Sequence, residues 1–246
     1  MIPKVIHYCW FGGKPLPKLA RKCIASWKRY MPGYEIRRWD ESNFDTGISE
    51  FTRKAYSSGK YAFVSDYARF RILHEVGGIY LDTDVELLKP IDDIAGKGNF
   101  LARECDYYSQ RALINVGLCI GYEKGSALCR AMLGFYNDVD PVKFFDEGQL
   151  ITVIEPVSDY FYERGLRKED IPVEIDGATI YPPEYFSPMD CITRRVIITP
   201  RTRAIHHYAA SWQPGIERIK NRIKDLIGPR LSHMIIGDKT EAEKKG

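Results

Sequence analysis

Residues 61–88 constrain the fold more than any other stretch of this 246-residue chain. Between Tyr61 and Val76 the apolar positions Ala62, Ala68 or Phe70, Leu73 and Val76 recur at helical spacing. Gly77-Gly78 then supplies residues that tolerate the left-handed turn at a helix end. A short apolar strand, Ile79-Tyr80-Leu81, follows at once. It runs into Asp82-Thr83-Asp84 and on into Val85-Glu86-Leu87-Leu88. A helix leading directly into a short apolar strand is the unit of an α/β sheet covered on both faces.

The rest of the chain repeats that alternation. Residues 4–10 and 34–39 are rich in β-branched and aromatic types and read as strands, as do 99–103, 116–121 and 203–208. Leu16, Leu19, Cys23, Trp27 and Tyr30 mark a helix over 16–30, which Pro32-Gly33 stops. Further helices are expected over 124–137 and 147–163. In sheets of this kind ligands bind beyond the carboxyl ends of the strands. The length suits one domain, and 44% hydrophobic with 28% charged residues excludes a disordered chain, a collagen-like repeat and a disulfide miniprotein.

A net charge of +3 is not the footprint of a nucleic-acid binder. Its distribution says more. Residues 201–237 hold seven Lys/Arg against two Asp/Glu, so the remaining body is slightly acidic. The six cysteines show no C-x-x-C pair and no zinc-finger spacing, and read as reduced, packed thiols. The first residues have no signal-peptide pattern, and no window of 18 apolar residues occurs. A cytoplasmic location is the expectation.

Asp82 and Asp84 carry the chemistry. Residues two apart on an extended segment point the same way, so both carboxylates can face one point. Two oxygen ligands with no cysteine nearby suit a hard cation, Mg²⁺ or Mn²⁺, which keeps positions open for water and phosphates. Tyr80 lies two residues before Asp82 and points to the same face. Asp66 and Arg69, at i and i+3, share one face of the helix. His206 and His207 are adjacent on a strand and point oppositely, so only one can be a third protein ligand.

These residues resemble a known family. Gly77-Gly78-Ile79-Tyr80-Leu81-Asp82-Thr83-Asp84 looks like the signature of glycosyltransferase family 32, the proteins with a sugar-binding region containing a DXD motif. Ile2–Gly12 resembles the family's opening strand, Ser65-Asp66-Tyr67-Ala68-Arg69 its S-D-x-x-R helix, and His206–Trp212 its closing H…S-W element. The resemblance implies a GT-A fold: a single Rossmann-like domain whose mixed, mainly parallel sheet is flanked by helices, over residues 1–212. It implies metal-dependent transfer of a sugar from a nucleotide-sugar donor, a UDP-sugar by preference, to a glycan or lipid-linked acceptor. Retention of configuration and a role in bacterial capsule or lipopolysaccharide synthesis follow from the same resemblance.

It also implies roles. Trp10 stacks on the donor base, an arrangement worth about 1–3 kcal/mol per base. Tyr80, Asp66 and Arg69 hold the donor sugar, and Asp66, Arg69, Asp82 and Asp84 form the catalytic set. Asp82 and Asp84 bind the metal with a histidine, His207 being favoured over His206. Ser211 and Trp212 contact the diphosphate. Asn115 and Asp146 are looser matches expected to touch sugar, although Asp146-Glu147-Gly148-Gln149 departs from the family's D-Q pattern. Glu104, a carboxylate at a strand end, has no assignment.

Residues 213–246 stand apart as a C-terminal helix and tail. Ile216, Ile219, Ile223, Leu226 and Ile227 follow helical spacing, while Arg218, Lys220, Arg222 and Lys224 fill the other faces. A basic amphipathic helix either packs its apolar face on the domain or lies on an anionic membrane, here the inner face. Two other readings compete with the transferase. A sugar-phosphate nucleotidyltransferase also uses metal and carboxylates, but its phosphate loop is longer than Phe11-Gly12-Gly13-Lys14. A non-catalytic sugar-binding or partner-binding module has no need of the intact acidic set.

Overall fold

The computed structural model describes residues 1–104, 111–147, 151–189 and 195–209. In chain order these form β1 (Val5–Cys9), α1 (Lys18–Tyr30), β2 (Glu35–Trp39), α2 (Glu50–Ser57), α3 (Tyr61–Glu75), β3 (Gly78–Tyr80), β4 (Val85–Leu87), α4 (Asp92–Ala95), β5 (Asn99–Ala102), β6 (Ile120–Tyr122), α5 (Ala127–Asp138), α6 (Pro141–Phe145), α7 (Ile154–Tyr162), β7 (Val173–Ile175), β8 (Ala178–Tyr181), α8 (Pro183–Phe186) and β9 (Ala204–His206). Seven strands make one sheet in the order β2-β1-β3-β6-β5-β8-β7. The pairs β1–β2, β1–β3 and β5–β8 are parallel, whereas β6 and β7 run against their neighbours. The expected mixed, mainly parallel sheet between helices is therefore present.

Both faces of the sheet are covered, for the reason that the short apolar strands suggest. Side chains alternate across each strand. Ile79 of β3 packs with Ile6, Tyr8 and the α1 residues Cys23, Ile24 and Trp27 on one face. Tyr80, the next residue, packs with Val64, Ala68 and Leu73 of α3 on the other. The thiols of Cys9, Cys23, Cys119 and Cys129 are free and buried. Gly78 shows why no side chain is tolerated at the start of β3. Its φ is +110°, and a Cβ there would sit 2.8 Å from His7 Nε2.

The structure departs from the expectations in four places. β4 leaves the main sheet and pairs antiparallel with β9. The strand expected over 116–121 is confined to β6, because residues 115–118 form a turn closed by Leu118 N–H to Asn115 O at 3.2 Å. The long helix expected over 147–163 is the shorter α7, preceded by α6. Helix α2 was not legible from apolar spacing. A capping box between Ser49 and Thr52 starts it, and Phe51 and Ala55 anchor it in the core. Residues 213–246 lie outside the described residues, as does the expected boundary at residue 212. Among the described residues no helix is long and apolar enough to cross a membrane.

Candidate functional site

The site is built where β3 and β9 end. Helix α3 contributes Asp66 and Arg69, whose i,i+3 spacing produces an ion pair at 2.8 Å. The Arg69 side chain is only 4% exposed, and its Nη2 also reaches Asp82 Oδ1 at 3.2 Å. The guanidinium lies over the Tyr80 ring at 4.7 Å, and the Tyr80 hydroxyl donates to the same Asp82 oxygen at 3.1 Å. Burial pushes the Asp66 carboxyl up to about 6, with the Arg69 charge pulling the other way. Burial also works against the Arg69 cation, but Asp82, Tyr80 and Asp66 more than offset it. Arg69 thus links Asp66 of α3 to Asp82.

Asp82 and Asp84 do converge, but not as an extended segment. Asp82-Thr83-Asp84-Val85 is a turn, closed by Val85 N–H to Asp82 O at 3.0 Å. The β9 region wraps Asp84. His206 Nε2 meets Asp84 Oδ1 at 3.1 Å, Ala209 N–H donates to Oδ2 at 2.7 Å, and His207 N–H donates to the backbone oxygen at 3.0 Å. Tyr208 takes a left-handed conformation (φ 47°) between those two donors, with its ring 4.2 Å from that of His206. Burial alone would raise the Asp84 carboxyl. The His206 charge, its hydrogen bond and the Ala209 amide outweigh burial and hold it at about 2. The His206 imidazole moves up: burial lowers it, and Asp84, Asp82 and Glu104 raise it further than that.

One ligating atom each from Asp82, Asp84 and His206 lies within 4.8 Å of the others. Two carboxylate oxygens and an imidazole nitrogen, with no thiolate, fit a hard divalent cation such as Mn²⁺ or Mg²⁺. The imidazole meets this group through Nε2, while its Nδ1 is buried without a hydrogen-bond partner among the described residues. The favoured histidine therefore changes. Val85 pairs with His206 and Glu86 with Ile205, so His207 shares the Glu86 side of the β4–β9 ribbon. Its Nε2 meets Glu86 Oε2 at 2.9 Å, and Lys22 Nζ reaches the same oxygen at 2.8 Å.

The other expected residues divide. Trp10 sits half-buried just beyond β1, its indole N–H donating to Lys14 O at 2.6 Å. Asn115 is brought to the site but not into it. It is 9% exposed, its Oδ1 accepts Gly117 N–H at 2.8 Å and its Nδ2 donates to Glu104 at 3.0 Å. Asp146 ends α6, pairs with Lys54 of α2 at 2.7 Å, and has no contact with the carboxylates among the described residues. Ser211 and Trp212 lie outside the described residues. Gly117 and Glu104 are the residues missed. A strand-end carboxylate was the available signal for Glu104. For Gly117 the signal was its place in the N-x-G pattern of Asn115-Val116-Gly117, which gave it no role of its own, because that role depends on which residue lies above it.

Comparison with known proteins agrees with the motif. Residues 17–101 match the family described as "Glycosyltransferase sugar-binding region containing DXD motif". The chain is 34% identical over 110 residues to an uncharacterized glycosyltransferase of Acanthamoeba polyphaga mimivirus, covering 41% of this chain and 42% of that protein. It is 31% identical over 111 residues to inositol phosphoceramide mannosyltransferase 1 of Schizosaccharomyces pombe, covering 41% of this chain and 33% of that one. The match thus spans less than half the length of either relative. Among solved structures, the PaToxG glycosyltransferase aligns with a TM-score of 0.49 at 20% identity, over 66% of this chain and 69% of that one. The galactosyltransferase LgtC aligns with a TM-score of 0.41 at 13% identity, over 89% and 93%.

Proposed function

We propose that this chain is a metal-dependent glycosyltransferase that moves a sugar from a nucleotide-sugar donor to a hydroxyl of a glycan or lipid-linked acceptor. The observation that carries the reading is the convergence of Asp82, Asp84 and His206 within 4.8 Å at the sheet edge, adjoining the helix that bears Asp66 and Arg69. A nucleoside diphosphate is a poor leaving group unless its negative charge is neutralised. A divalent cation on these three side chains supplies that neutralisation. The chain's own residues keep the ligands aimed. Arg69 and Tyr80 hold one Asp82 oxygen, and the 206–209 segment holds Asp84. No second buried carboxylate pair competes for a proton-transfer role among the described residues. Positioning and charge neutralisation therefore carry the rate, and retention of configuration is the outcome we assign.

UDP-sugars are the first donors to try. GDP-mannose belongs beside them, because one relative's name specifies mannosyl transfer. That name also gives a lipid acceptor, which suits the basic Ile-faced run at 215–227 and a place at the inner face of a membrane, in surface polysaccharide or glycolipid synthesis. Calorimetry with Mn²⁺ and a panel of nucleotide sugars tests the core of this reading. One donor should bind only with metal and be slowly hydrolysed, and Asp84→Ala should remove both signals. If no donor binds in a metal-dependent way, the reading fails.

A further inference from the structure

We infer that Glu104 is a further residue of this site, accepting a hydrogen bond from a hydroxyl of the transferred sugar beside the cation-binding cluster. The inference rests on the nucleotide-sugar reading above. Three elements meet at one edge of the sheet. β3, β6 and β5 are consecutive neighbours, and β6 runs against both others. The segment entering β6 therefore lies beside the segments leaving β3 and β5. Asp82 follows β3, Asn115-Val116-Gly117 precedes β6, and Glu104 follows β5. Glu104 N–H donates to Leu113 O at 2.9 Å and Asn115 N–H to Ala102 O at 3.2 Å, which keeps the last two segments side by side.

Contacts run without a break along this edge. Asp82 N–H donates to Gly117 O at 2.9 Å, and Asp82 Oδ2 occupies the space where a Gly117 Cβ would be. Gly117 N–H donates to Asn115 Oδ1 at 2.8 Å, and Asn115 Nδ2 donates to Glu104 Oε2 at 3.0 Å. Asn115 spends both ends of its amide inside the protein. Its Nδ2 thereby holds one oxygen of Glu104, a residue that is only partly buried.

The chemistry of this position selects the ligand. Glu104 is not one of the three residues whose atoms can gather on one cation. A carboxylate beside that group is an acceptor only, and so suits a group rich in O–H donors. In a nucleotide sugar, the sugar is joined through a single oxygen to the phosphate that the cation holds. Its hydroxyls, like those of the ribose on the other phosphate, are neutral donors that would lie near a cation held there, and the free nucleoside diphosphate tells the two apart. A hydroxyl donating to a carboxylate makes a charge-assisted bond, stronger than one to a neutral acceptor.

Glu104→Gln separates this role from a structural one. Its amide carbonyl still accepts from Asn115 Nδ2, so the turn beneath Asp82 keeps its partner. The unaltered chain and the variant are titrated in Mn²⁺ with UDP and GDP, then with UDP-glucose, UDP-galactose, UDP-N-acetylglucosamine and GDP-mannose. Affinity for the nucleoside diphosphate should stay within about twofold, while affinity for the preferred nucleotide sugar falls about tenfold. Equal loss for diphosphate and sugar would mean that Glu104 acts through the metal site, and no loss for either would mean that it touches no sugar. Both results overturn the inference. If the unaltered chain binds no nucleotide at all with Mn²⁺, the transferase reading fails first and takes this inference with it.

Discussion

Gly117 is a glycine because Asp82 needs its space. A methyl group there would overlap Asp82 Oδ2, while Arg69 and Tyr80 fix the other oxygen. The carboxylate cannot rotate away without losing the Arg69 ion pair. Gly117→Ala should therefore weaken Mn²⁺ binding by about 10–100-fold, the range seen when the support of a metal ligand is disturbed. Titration with Mn²⁺ checks this, and an affinity equal to that of the unaltered chain would free Gly117 of the role. At the same scale, we propose a supporting role for Arg69. It is buried between two carboxylates and over an aromatic ring, which makes it a positioning residue for Asp82.

The β1–β3 pair is the element on which the site stands, and a histidine is sealed within it. His7 is fully buried, its Nδ1 accepts from Trp39 Nε1 at 3.0 Å, and its Nε2 therefore donates to Gly77 O at 2.9 Å. Burial lowers its pKa from the ordinary 6.5 to about 4, despite the Gly77 bond. Between those values the unfolded chain binds the proton and the folded chain does not, so folding stability falls as pH drops through that window. Urea unfolding at about pH 7 and about pH 5 should show roughly 2 kcal/mol of acid loss that His7→Gln does not share. An equal loss in both proteins would contradict a neutral His7. The β4–β9 ribbon is the other element that matters, because its register brings His206 to Asp84 and His207 to Glu86.

At the scale of the whole molecule, charge is divided unevenly along the chain. The slightly acidic body carries the seven-stranded sheet, nearly all of both hydrophobic cores, and Asp82 and Asp84 of the candidate cluster. The basic surplus falls in 201–237, mostly beyond the described residues. We propose the division at residue 212 as one of function, with catalysis before it and membrane attachment after it. Flotation with anionic liposomes should carry the full chain upward and leave behind a chain ending at Trp212. Equal partitioning of the two would end the membrane proposal. The same experiment in high salt should release the full chain, since attraction between basic side chains and anionic lipid is screened within about 10 Å at 0.1 M salt.

By itself the sequence determined what depends on neighbours in the chain. The α3 helix, its Asp66–Arg69 pair, the Gly-Gly stop, the short buried β3 and the Tyr80–Asp82 relation are all set by spacing of a few residues, where helix and strand periods act directly. The motif that resembles the family's signature is local in the same way. Tertiary structure alone decided the rest. Asp82 and Asp84 converge through a turn, because a strand leaving the main sheet must bend to join β9. His206 replaces His207 because strand register, a long-range choice, sends alternate side chains to opposite faces. Glu104, Asn115 and Gly117 become parts of one site only when β5 and β6 close beside β3, across sequence distances that no local pattern encodes.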